Sequence, residues 1–139
     1  MLTALNLCVG HAEEPHKVGP ITSESASVTM EYSEYHKGID MVFDTPTTLT
    51  APFDGRVESI ESYDDMCYVV ITNEDVGDSV AFINVHDSPL YLNEKVKIGD
   101  VIGKAGDEPI HVSYYPEGVK GEAVNPNEFL HTTGLTYKN

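Results

Sequence analysis

Three histidines and one aspartate stand where a rigid site could be built. His36 and Asp40 lie four apart in His36-Lys37-Gly38-Ile39-Asp40. Side chains alternate along an extended segment, so both groups point to the same side. A neutral imidazole and a carboxylate that converge offer lone pairs at the roughly 2.0–2.2 Å that zinc takes. Gly38 between them leaves space for the ion and lets the chain bend. Without further ligands the same pair is an ordinary surface His–Asp contact. His86 ends a segment, Ser79–His86, that reads as a strand, and it shares a face with Val80, Phe82 and Asn84. An imidazole at the rim of an apolar face is either a base poised near neutral pH or a core-edge residue bonded to backbone. His111 shares a face with Ser113 and Tyr115 in a strand that follows a glycine-rich bend. His11, His16 and His131 lie in polar stretches and read as solvated surface residues.

The elements that must hold these groups are β. Leu49–Ala51, Arg56–Glu61, Cys67–Thr72 and Ser79–His86 are short, rich in Val, Ile and Tyr, and bounded by turn residues. Further strands are expected at Lys95–Ile98 with Val101–Lys104, and at Ile110–Tyr115. The only helical signal is one turn at Pro126–Leu130, with Asn125 as cap, Pro126 in the first position and Glu128 completing a capping box. The expected fold is all-β, a small two-sheet sandwich or barrel-like domain with one short C-terminal helical turn. Residues 1–35 read as an irregular N-terminal arm that joins through Val28 and Met30, and residues 36–139 as the single domain.

A chain of 139 residues is enough for one domain. Twenty-three acidic residues against 8 basic ones give a formal charge of −15, which argues against nucleic acid or an anionic membrane as the partner. Cys8 and Cys67 are too few for a disulfide framework and read as reduced thiols. The apolar run Ala4–Val9 is broken by Asn6 and has no basic leader, and no stretch reaches the length of a membrane span. The expectation is synthesis in the cytoplasm, with any exit by a route this sequence does not record.

Taken in order, these residues resemble the lysostaphin/LytM-type zinc metallopeptidases. The likeness runs from His36-Lys37-Gly38-Ile39-Asp40, the family's His-x-Gly-x-Asp motif, to Ala51-Pro52-Phe53-Asp54-Gly55-Arg56-Val57. It continues with the strand ending in His86, with Val96-Lys97-Ile98-Gly99-Asp100-Val101-Ile102-Gly103-Lys104-Ala105-Gly106, and with Val124-Asn125-Pro126 and Phe129-Leu130. The resemblance implies a β domain of the duplicated hybrid motif type that grips one zinc and cuts peptide bonds in peptidoglycan. It matches His36 and Asp40 to two zinc ligands and His86 to a catalytic histidine. The family's last motif is His-x-His, first catalytic and then the third ligand.

Here that stretch is His111-Val112-Ser113. Counting from the flanking glycine and proline puts His111 in the catalytic position and Ser113 at the third ligand, where a hydroxyl is a poor zinc donor. The turn before it, Asp107-Glu108-Pro109-Ile110, is also shortened. On this count the domain is degenerate, kept for binding or structure beside peptidoglycan peptide, cell-wall or virion proteins, with no cofactor. A wall-hydrolase-like domain without an export signal fits a bacteriophage setting, in the virion or released at lysis. A two-residue slip preserves the face and brings His111 itself to the metal. The chain is then an active zinc endopeptidase. A looser likeness, to the IIA domain of sugar phosphotransferase systems, rests on Phe82–His86, Val96–Gly103 and Ala51-Pro52; it makes His86 a phosphoryl acceptor but leaves His36 and Asp40 without a task.

Overall fold

A computed structural model describes residues 17–137. His11, His16 and Cys8 lie outside the described residues. Ten strands are formed: β1 (Ala26–Met30), β2 (Ile39–Val42), β3 (Thr47–Thr50), β4 (Gly55–Tyr63), β5 (Met66–Thr72), β6 (Ser79–His86), β7 (Lys95–Val96), β8 (Val101–Ala105), β9 (Ile110–Tyr115) and β10 (Leu135–Tyr137). The main ladder runs β10-β1-β2-β9-β6-β5-β4-β7, with β8 branching from β6 and β3 paired to β8. The pairing of β1 with β10 is parallel and the others are antiparallel.

The all-β architecture agrees with the sequence, but the two-sheet, barrel-like description does not. The ten strands of the described residues belong to one hydrogen-bonded network, and its end strands β10 and β7 are not joined, so the described residues do not close into a barrel. The physical reason is a fork in β6. Ser79–Ile83 pairs with β9, whereas His86 pairs with Lys104 of β8. Between them Asn84 takes a left-handed backbone, φ 76°. Opposite, β5 goes from Cys67 to Val69 while β6 goes from Val85 to Phe82, so β6 carries one extra residue, a β-bulge. Close to this fork Gly103 of β8 lies so near Val85 and the His86 carbonyl that a Cβ would collide with both.

The helical turn expected at Pro126–Leu130 is also overturned: no helix occurs among the described residues. Asn125 Oδ1 does accept from the Asn127 amide at 2.9 Å, and the Leu130 amide bonds the Pro126 carbonyl at 2.7 Å. The chain then turns again through Thr133 and Gly134 into β10. One turn orders several residues for a single bond, and with no second turn to repeat it a helix does not propagate. The segment is held by burial instead. Phe129 stacks on Tyr114 at 4.3 Å and meets Phe53 edge-on at 5.9 Å, and Leu130 is buried beside them.

Alternation fixes which face carries chemistry. Ile39 and Met41 of β2, Ile110 and Val112 of β9, and Val80 and Phe82 of β6 belong to the buried core. Each such side chain contributes about 1.5–3 kcal/mol, so a one-residue slip that exposed the set would be strongly disfavoured. Asp40 and His111, lying between these core residues, are therefore turned to the opposite face. Cys67 is a buried free thiol, and burial pushes its pKa up. No helix among the described residues is long and apolar enough to cross a membrane.

Candidate metal centre and its neighbours

The ladder between β2 and β9 pairs Asp40 directly with His111. His111 Nδ1 stands 2.6 Å from Asp40 Oδ1. His36 reaches the same oxygen by a different route from the one its spacing suggested. It is not on a strand but closes a tight turn through its bridge to Ser33, and the chain bends at Gly38 before β2 begins. Its Nε2 lies 3.1 Å from Asp40 Oδ1, and its ring meets the His111 ring edge-on at 4.9 Å. One ligand atom from each of His36, Asp40 and His111 lies within 4.8 Å of the others.

The outer nitrogens of both rings are already committed. His36 Nδ1 lies 3.0 Å from the Glu31 carbonyl oxygen, which can only accept. His111 Nε2 lies 2.9 Å from Ser113 Oγ, whose own hydrogen goes to the Lys37 carbonyl at 2.8 Å, so Nε2 donates. In their neutral forms, with those protons placed outside, both rings turn a lone pair inward. Two lone pairs and a carboxylate oxygen that face each other so closely need a proton or a cation among them. The donor set, two imidazole nitrogens and one carboxylate oxygen with outer hydrogen bonds fixing the rings, fits zinc.

Gly38 makes this packing feasible. A Cβ there would stand 2.5 Å from His111 Nε2 and 2.6 Å from the Val112 carbonyl oxygen. Ser113, the residue expected at the third ligand, instead sits on the outer side of the His111 ring and holds its tautomer.

His86 belongs to a second group. The bulge in β6 puts Val85, rather than His86, with Val80 and Phe82 in the core. His86 is thus on the opposite face from the one that unbroken alternation assigned to it. Ile83, the cross-strand partner of His111, is on that same face. His86 Nε2 lies 2.7 Å from Glu108 Oε1. That carboxylate holds the His86 imidazolium above its ordinary pKa of 6.5; partial burial opposes the effect and the charges of Asp65 and Asp87 add to it. His131 takes no part in either group and is an exposed ring bonded to the Glu128 carbonyl.

Residues 34–126 match the model of peptidase family M23, most of the chain. The chain belongs to peptidase family M23. Among solved structures it is similar to the antimicrobial peptidase lysostaphin from Staphylococcus simulans, at 16% identity and a TM-score of 0.68, over 87% of this chain and 55% of that one. It is also similar to a chain of the SpoIIQ–SpoIIIAH pore-forming complex, at 21% identity and a TM-score of 0.69, covering 84% and 92% respectively. A third is a mutant catalytic domain of the prophage-encoded M23 protein EnpA from Enterococcus faecalis, at 22% identity and a TM-score of 0.63, covering 79% and 95%. At these identities the likeness is one of fold. This chain spans little more than half of lysostaphin. No curated protein matches closely enough to name a relative.

Within this M23 fold the sequence reading missed Glu108 and the two backbone carbonyls that fix the histidine rings. Glu108 had one available signal, an acid in the turn that leads into the His111 strand. The carbonyls of Glu31 and Lys37 had none, because any residue supplies one.

Proposed function

We propose that this chain is a zinc-dependent endopeptidase of the M23 type acting on peptide cross-links of peptidoglycan, with His36, Asp40 and His111 as the metal ligands. The observation that carries the reading is the convergence of those three donor atoms within 4.8 Å. Three protein ligands with a remaining open position are the pattern of catalytic rather than structural zinc. Zinc, when bound there, supplies a Lewis acid that polarises a carbonyl and makes water a better nucleophile. His86 is the group on the same face able to take a proton from that water and return it to the departing amine.

A second reading draws on a specific position. If His111 is the last histidine of the family's His-x-His motif, Pro109 stands where the first would be. A proline can neither take a proton nor donate one, so this favours a domain that holds zinc and binds cell-wall peptide without cutting it.

Purified chain incubated with zinc and with peptidoglycan sacculi separates the two. The peptidase reading expects about one zinc per chain and new free amino groups released from sacculi, both lost in Asp40→Ala. Zinc retention without new amines favours the binding domain. No retained zinc overturns both.

A further inference from the structure

We infer that Glu108 is the positioning residue of His86, holding Nε2–H so that Nδ1 alone is presented to the reacting atoms. The inference rests on the peptidase reading for its chemistry, but its geometry is independent of the metal cluster.

Four features build the arrangement. Glu108 Oε1 and His86 Nε2 are 2.7 Å apart, with the imidazole mostly buried and the carboxylate 44% exposed. A carboxylate only accepts, so Nε2 is the donor. Among the described residues no group hydrogen-bonds His86 Nδ1, which leaves that nitrogen available. The turn carrying Glu108 is itself tied down: Asn84 Nδ2 donates to the Pro109 carbonyl at 2.9 Å. Asn84 in turn receives the Tyr63 hydroxyl hydrogen at 2.9 Å, and its amide donates back to that hydroxyl at 2.8 Å. Lastly, Gly106 gives the ring room, since a Cβ there would lie 2.8 Å from His86 Cδ2 and Nε2.

This is the division of labour in which a carboxylate fixes an imidazole's tautomer and steadies its charged form while the other nitrogen moves the proton. His86 Nδ1 takes a proton from water as the water oxygen bonds the scissile carbonyl carbon. The same proton then passes to the amide nitrogen as the carbon–nitrogen bond breaks, giving one acid and one amine. Nε2–H stays on Glu108 throughout. One imidazole so supported serves for both halves of the transfer, which gives His86 a sufficient role although Pro109 offers no second one.

The charged groups around His86 are Glu108 from the turn, Asp65 from the β4–β5 connection, Asp87 beside it in the chain and Lys104 across on β8. Glu108 is the one in hydrogen-bond contact, so its neutralisation is the informative change. The test is the His86 ring titration followed by NMR in the full chain, with Glu108→Gln and Gly106→Ala, alongside the pH profile of amine release from sacculi. Both variants are expected to titrate His86 at lower pH than the wild type, and the acidic limb of kcat/KM to move down with it, with zinc content unchanged. Glu108 is exposed, so its amide variant is expected to fold; rescue by Glu108→Asp is expected to be partial. An unchanged His86 midpoint in Glu108→Gln overturns the inference, as does an activity profile that stays put while the midpoint moves. Absence of amine release by the wild type removes the peptidase reading, and the midpoint then decides the Glu108–His86 pairing by itself.

Discussion

His111 Nδ1 and Asp40 Oδ1 face each other at 2.6 Å across the β2–β9 ladder, a pairing fixed by the buried residues on either side of each. The centre is therefore preformed by the sheet, with the His36 turn adding the last donor. Replacing His111 or Asp40 by Ala removes one of the three clustered donors while leaving the core face untouched. Each variant is expected to keep the fold by circular dichroism and to lose bound zinc after dialysis, measured by elemental analysis. Full zinc retention in His111→Ala would show that the cluster is a hydrogen-bonded network and no metal site.

Ser113→Ala tests the outer layer. The hydroxyl fixes which His111 nitrogen carries hydrogen, through the chain His111 Nε2–H to Ser113 Oγ to the Lys37 carbonyl. Loss of such an outer partner typically weakens metal binding by about 10–100-fold. A chelator competition titration is expected to show a drop in that range. Equal affinities in wild type and variant would mean that the ring is oriented by packing alone.

The strands and the site were legible in the sequence to different depths. Ser79–His86 and Ile110–Tyr115 form as their Val, Ile and Tyr content and their flanking turns suggested. The edge strand β10 and its neighbour β1 were not visible as strands, because short strands draw on pairing with neighbours more than on their own pattern. His36 and Asp40 were legible as a pair, but through a bend at Gly38 and not through strand periodicity. The bulge at Ile83–Asn84 was hidden: Asn tolerates a left-handed backbone without requiring one, so nothing local says that β6 forks there. Pro126–Leu130 shows the opposite failure, where correct capping signals attach to a segment too short to become a helix.

Gly38→Ala is expected to act on stability and metal together. Its Cβ would press on both the His111 ring and the Val112 carbonyl oxygen. The ring can swing, but the carbonyl is backbone held in the β9 ladder. Overpacking of this kind costs about 1–3 kcal/mol. A lowered melting temperature and weakened zinc binding are both expected, and an unshifted melting curve would contradict the close approach of Gly38 to the β9 backbone.

The His86–Glu108 pair gives stability a pH signature. His86 has its folded pKa raised, first by the bond to Glu108, so its contribution is full below the ordinary 6.5 and fades as pH climbs through the raised value. Glu108 has its folded pKa lowered by the same bond, so its contribution holds above the ordinary 4.5 and fades as pH falls through the lowered value. The stability difference between wild type and Glu108→Gln is therefore expected to be widest between those two ordinary values and to close on the alkaline side. Urea denaturation across that pH range measures it. A difference independent of pH would mean that Glu108 acts through packing.

The bulge itself is the last element open to test, and Asn84 separates its two physical parts. The residue tolerates φ 76° and also supplies the hydrogen bond to the Pro109 carbonyl. Asn84→Gly keeps the backbone easy and loses the bond, whereas Asn84→Ala loses the bond and adds a left-handed penalty of about 1–2 kcal/mol. If the bulge is needed to turn His86 out of the core face, Ala is expected to be the less stable variant. Gly is expected to fold normally yet loosen the Glu108 turn, so that His86 titrates at lower pH than in the wild type. Equal stability of the two variants would mean that β6 relaxes its backbone at Asn84, in which case the fork does not depend on the left-handed residue.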